Sequence, residues 1–119
     1  MWRRATAFIL FILATPVLAE TRLIMVEETG CMWCESWNEQ IGPIYSKTLE
    51  GRTAPLQRID IHETPPSDLT FSSSLQFTPT FVLVVNGTES ARVEGYPGED
   101  FFWELLVQMI VDAKVPWAE

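Results

Sequence analysis

The apolar residues change period along the chain. Leu23-Ile24-Met25-Val26 is an unbroken apolar run, followed by the polar Glu27-Glu28-Thr29-Gly30. A short run of this kind predicts a buried central strand that ends in a loop. From Cys31 the period lengthens. Trp33, Trp37, Ile41, Ile44 and Tyr45 recur mostly at spacings of three and four, which predicts a helix with Thr29 as its cap. Gly42-Pro43 falls inside it and predicts a kink or break, and Glu50-Gly51 ends the segment. Ala54 to Ile61 predicts the next strand, with Leu56, Ile59 and Ile61 facing the core.

His62 to Ser67 reads as a loop, because Pro65-Pro66 forbids regular structure. Asp68 to Gln76 is expected to form a short helix, capped by Ser67 or Asp68, with Leu69, Phe71 and Leu75 as its apolar positions. Phe77-Thr78-Pro79-Thr80 leads into Phe81 to Val85, the most strand-like run in the chain. Asn86-Gly87 is a strong hairpin signal, so Thr88 to Glu94 should return antiparallel with Ala91 and Val93 on one face. Gly95-Tyr96-Pro97-Gly98 is a turn. Glu99 to Ala113 closes the chain as a helix with an acidic first turn and with Phe102, Leu105, Leu106, Met109, Ile110 and Ala113 inward. The order β-α-β-α-β-β-α describes an α/β domain, a parallel crossover unit followed by a hairpin and a helix. The sequence shows no internal repeat, low-complexity segment or second domain.

The first 19 residues stand apart from this pattern. Arg3-Arg4 is a short basic start, Ala5 to Ala14 is apolar apart from Thr6, and Pro16 precedes Val17-Leu18-Ala19. This layout predicts a secretory signal peptide, residues 1–19, cleaved after Ala19. The apolar stretch is shorter than the ~20 residues a spanning helix needs, which argues against a membrane anchor. No Leu-x-x-Cys follows it, so a lipid anchor is not expected either. The remaining domain, residues 20–119, loses Arg3 and Arg4, and the net charge moves from −8 to −10. Nucleic acid is a poor partner for such a surface.

The only two cysteines, Cys31 and Cys34, are separated by two residues. A structural zinc site needs four ligands, and one histidine, His62, is the only imidazole available. Copper(I) needs fewer ligands, so a copper-binding chaperone using the same pair is an alternative. As a structural clip the pair is weak, since closing so short a loop is worth on the order of 2 kcal/mol before strain. The redox reading fits location and chemistry together. At the start of a helix, free N–H groups and the helix dipole stabilise a thiolate. Cys34, three residues on, shares the helix face. Cys31 is then the expected nucleophile and Cys34 the resolving thiol, with no other cofactor than their disulfide. Downstream, the Thr78-Pro79 bond is of the one type that readily turns cis. A loop facing the cysteines there would leave the Thr78 backbone free to pair with a substrate segment. A redox-idle interaction module is the third reading.

These motifs together resemble the thioredoxin superfamily. The resemblance rests on Cys31-Met32-Trp33-Cys34 at a helix start, Phe77-Thr78-Pro79-Thr80 before a strand, the Asn86-Gly87 hairpin and Gly95 before the last helix. It covers Arg22 to Ala113. It implies a minimal thioredoxin/glutaredoxin-like fold, a four-stranded mixed sheet flanked by three helices, with Pro79 cis. It also implies a substrate surface of Met32, Trp33, Thr78, Pro79 and Gly95. The run CMWCESWNEQIGPIYSKTLEGRTAPLQRIDI is similar to exported SoxS-type proteins of bacterial sulfur-oxidation systems. That similarity implies a periplasmic reductant of the sulfur-carrier protein SoxYZ, recharged by a membrane electron donor.

The chain departs from the usual thioredoxin pattern at three places. Gly30 replaces the Trp before the first cysteine, Met32-Trp33 replaces Gly-Pro, and Met25 stands where a buried acid is expected. Glu27, Glu28 and Glu35 are either substitutes for that acid or solvated charges, and solvated charges are usual at such positions. With no cation in the central dipeptide and Glu35 beside it, the Cys31 thiolate is expected to be less stabilised than in strong oxidants, as suits a reductant. His62 reads as a loop residue.

Overall fold

The computed structural model describes Ala5, residues 7–13 and residues 20–119. The expected leader and its cleavage point at Ala19 lie largely outside the described residues. The elements are β1 (Thr21–Glu27), α1 (Met32–Gln40), α2 (Gly42–Tyr45), α3 (Leu49–Thr53), β2 (Leu56–Asp60), β3 (Thr80–Val85), β4 (Thr88–Glu94) and α4 (Glu99–Ala113). The strands form one mixed sheet in the order β2-β1-β3-β4, with β1 parallel to β2 and the other pairs antiparallel.

Alternation along β1 and β3 sets the layers. Successive side chains of a strand point to opposite faces. Leu23, Met25, Phe81 and Leu83 therefore join one buried cluster, and Ile24, Val26, Val82 and Val84 another. Helices cover the first face. Trp37, Ile41 and Tyr45 come from α1, α2 and the turn between them, and Phe102, Leu106 and Ile110 come from α4. Trp37 is the hub, with ring centres of Phe81, Phe102 and Tyr45 at 5.5, 5.8 and 5.9 Å. Of the residues expected inward on α4, Leu105 is 39% exposed. Trp103 instead packs against the cluster and stacks on Tyr45.

The helical segment from Cys31 to Gly51, expected to kink or break at Gly42-Pro43, is three short helices, with one break there. Ile41 ends the first, and Pro43 opens the second where its missing N–H costs nothing. Tyr45 turns the chain by donating its hydroxyl to the Ala54 carbonyl at 2.6 Å, and burial pushes its phenol pKa up. The third helix then packs so closely that a Cβ on Gly51 would lie 1.8 Å from the Tyr45 carbonyl oxygen. Only glycine fits there.

The second face corrects one expectation. Asp68 to Gln76 is not a helix. It is an irregular strap whose Leu69, Phe71 and Leu75 cover Ile24, Val26, Val82 and Val84. Thr70 forms a parallel bridge to Thr88, donating to the Gly87 carbonyl at 2.7 Å and accepting from Glu89 N at 2.9 Å. Arg92 donates to the carbonyls of Ser73 and Ser74, and Glu89 accepts from Ser72 N and Oγ. Three consecutive serines favour such side-chain and backbone alternatives over helix. The Asn86-Gly87 hairpin is as expected, with φ of 51° and 81°. Gly87 is required twice over, since a Cβ there would also meet the Asp68 carbonyl oxygen at 2.4 Å.

Candidate active site

Strand direction brings four segments to one end of the sheet. β1 finishes at Glu27, paired with Asp60 at the end of the parallel β2. β3 runs the other way and starts at Thr80, opposite Val26 on one side and Glu94 on the other. The Cys31 turn, His62, Thr78-Pro79 and Gly95 all extend from this end.

Cys31 and Cys34 are joined as a disulfide with Cα atoms 5.2 Å apart. Cys31 itself is the N-cap of α1, with its Sγ accepting from Cys34 N at 3.1 Å. Thr29, the expected cap, does not serve. A sulfur at the N-cap faces the unpaired first-turn N–H groups, the position that favours a thiolate. Cys31 is 9% exposed, against 3% for Cys34. The two residues between them project outward, Met32 at 66% and Trp33 at 56% exposed. Trp33 therefore does not pack back on its own domain. The indole that does so is Trp37.

The Thr78-Pro79 bond is cis. Gly95 N donates to the Pro79 carbonyl at 2.7 Å, and Thr80 Oγ1 donates to the Phe77 carbonyl at 2.6 Å. Phe77, 54% exposed, adds apolar surface to the same end of the sheet. These contacts place Thr78, Pro79 and Gly95 in one group.

No family model matches the chain, and no curated protein does. Among solved structures it is similar to the periplasmic thioredoxin SoxS from Paracoccus pantotrophus in its reduced form. The two share 47% identity with a TM-score of 0.79, over 80% of this chain and 100% of that one. This chain belongs to the thioredoxin superfamily, among its SoxS-type members. A thioredoxin from Malassezia sympodialis, Mala s 13, is 22% identical with a TM-score of 0.54, over 76% of this chain and 75% of that one. That second likeness shows the fold alone. With its two-cysteine disulfide at the head of α1, this SoxS-type member is a thiol–disulfide oxidoreductase.

The surroundings of the pair agree with the sequence reading at Met25 and add contacts that it did not foresee. Met25 is fully buried in the cluster that holds both cysteines, so no carboxylate reaches them from inside β1. Arg58 lies against the Met25 sulfur at 3.5 Å, over the Trp37 ring at 5.6 Å, and pairs with Glu27 at 2.6 Å. A cleft of roughly 290 Å³ opens beside the disulfide, lined by both cysteines, Glu27, Glu35, Asn38 and Asp60 among others. Asn38 Oδ1 is buried there without a hydrogen-bond partner among the described residues. Glu28 keeps about a third of its side chain exposed, yet both carboxylate oxygens are engaged. It accepts from the Thr78 hydroxyl at 2.8 Å and meets His62 Nε2 at 2.7 Å. The Thr78 hydroxyl and then the His62 ring hold its carboxyl below the usual carboxylate range. No local pattern marks these contacts, since Thr78 is 50 residues away in the chain and His62 is 34.

Proposed function

We propose that this oxidoreductase is a periplasmic reductant of protein disulfides. The observation that carries the reading is Cys31 capping α1 while Met32 and Trp33 beside it stand exposed. A sulfur so placed gains thiolate character in the dithiol state, and an apolar platform next to it suits a protein partner. The likeness to a periplasmic SoxS and the leader-like residues 1–19 support export.

The reaction is a two-electron exchange. The Cys31 thiolate attacks one sulfur of the partner disulfide. A mixed disulfide forms, and the other partner sulfur leaves as a thiolate and takes a proton. Cys34 gives up its proton and attacks Cys31 Sγ. The second partner sulfur then leaves, and the Cys31–Cys34 disulfide closes. Thr78, Pro79 and Gly95 receive the partner segment along the open backbone at the sheet end. The partner is the sulfur-carrier SoxYZ, whose oxidised thiols are restored, and a membrane electron donor returns the pair to the dithiol.

Trapping tests this directly. Cys34→Ser lacks the resolving thiol, so in the native periplasm it should hold SoxYZ as a mixed disulfide that runs as one band without reductant. Recovery of no disulfide-linked partner, or of other proteins without SoxYZ, rejects the partner assignment. A strongly oxidising midpoint potential against glutathione rejects the direction of electron flow.

A further inference from the structure

Glu28 touches three separate segments of the sheet end. Its carbonyl accepts from Cys31 N at 3.3 Å, within the turn that presents the nucleophile. One carboxylate oxygen, Oε1, accepts from Thr78 Oγ1 at 2.8 Å. The other, Oε2, meets His62 Nε2 at 2.7 Å. The His62 backbone N–H donates to Asp60 Oδ1 at 2.8 Å, while its ring stays largely exposed. Both carboxylate oxygens are thus committed, and each to a different loop.

Thr78 is the residue this arrangement serves. Its side chain is anchored through Glu28, while its backbone N–H and C=O take no partner among the described residues. An extended segment pairing there needs those two groups held at a fixed distance from Cys31. The neighbours Pro79 and Thr80 are tied to Gly95 and Phe77, neither of which belongs to the cysteine turn. Glu28 supplies the tie toward the cysteine turn.

We propose that Glu28 is a positioning residue for protein substrates: its carboxylate, steadied by His62, fixes Thr78 relative to Cys31. The role rests on the reading that a partner segment pairs with Thr78. A charged hydrogen bond of this kind is worth enough to change binding about tenfold when one partner is removed. A small disulfide that reaches Cys31 without pairing along Thr78 should hardly sense it.

The test compares insulin with oxidised glutathione as substrates of the full chain. Glu28→Ala should lower kcat/KM for insulin about tenfold, almost entirely through KM, and for oxidised glutathione less than threefold. Glu28→Gln, which keeps an acceptor for Thr78, should recover most of the loss. Thr78→Val should raise the insulin KM similarly, and the double variant should be no worse than either alone. His62→Ala should give a smaller rise, about threefold. Equal losses on both substrates, an unchanged insulin KM, or additive losses in the double variant would overturn the role. A wild type that fails to reduce insulin would take the reductant reading down with it. A wild type that reduces insulin no better than Glu28→Ala removes the positioning role alone.

Discussion

The two faces of the sheet are covered by different means. On one, α1, α2 and α4 lay down large rings, and the redox pair belongs to the same buried cluster as Trp37. On the other, a strap without regular structure spreads Leu69, Phe71 and Leu75 over four aliphatic side chains. The helical cover satisfies its own backbone and is held by burial. The strap must borrow partners for its backbone, and Glu89 and Arg92 on β4 lend them. Apolar pattern demands that a face be covered. It does not dictate that the cover be helical.

The sharpest way to break this contrast is at Trp37. Trp37→Ala empties the centre of the ring cluster and should cost about 4 kcal/mol, read as the denaturation midpoint. The disulfide should then be reduced more readily at elevated temperature. A loss comparable to that of a single aliphatic on the other face would mean the two covers are energetically alike.

Arg92→Ala removes the cation paired with the nearly buried Glu89 at 2.6 Å, together with two strap contacts. It should cost about 3 kcal/mol and leave the midpoint potential unmoved. Burial pushes the Glu89 carboxyl up, but hydrogen bonds from Arg92 and Ser72 outweigh it and hold the group below the usual carboxylate range. A carboxyl depressed on folding stabilises above its unfolded value and loses that contribution as pH falls through the folded one. Wild type should therefore lose stability as pH falls below the ordinary carboxylate range of about 4. Arg92→Ala should show a shallower fall, measured by urea denaturation at several pH values.

Leu69→Ala tests the strap's own burial and should cost about 2 kcal/mol, less than its counterpart on the helical face. The smallest expected effect is at Glu35, in the first turn of α1 beside the cysteines. Removing its charge favours the thiolate, so Glu35→Gln should make the pair more oxidising by about 10 mV against glutathione. A shift in the opposite direction would discard the electrostatic reading of this position.

Much of this architecture was legible along the chain. The apolar run from Leu23 to Val26, the Asn86-Gly87 turn and the helix beginning at the cysteines are local signals, and each element lies where its pattern placed it. The strap was not legible. Phe71 and Leu75 have helical spacing, but Thr70 and Ser72 to Ser74 find their partners on β4 and the turn before it, at least 17 residues on in each case. Thr29 was displaced as cap because the Cys31 sulfur takes that hydrogen bond itself. The redox pair announced itself by spacing. Glu28 and His62 did not, because what matters about them is which loops the sheet brings to the same end.

Thr70 also bears on how copies of this chain behave toward one another. β4 forms one border of the sheet, and an open border offers a row of N–H and C=O groups to any passing strand. At the start of β4, Thr70 occupies the Gly87 carbonyl and the Glu89 N–H, so those two groups are closed to an incoming strand. The segment that declined to become a helix thereby takes up part of the border that edge-to-edge aggregation would use.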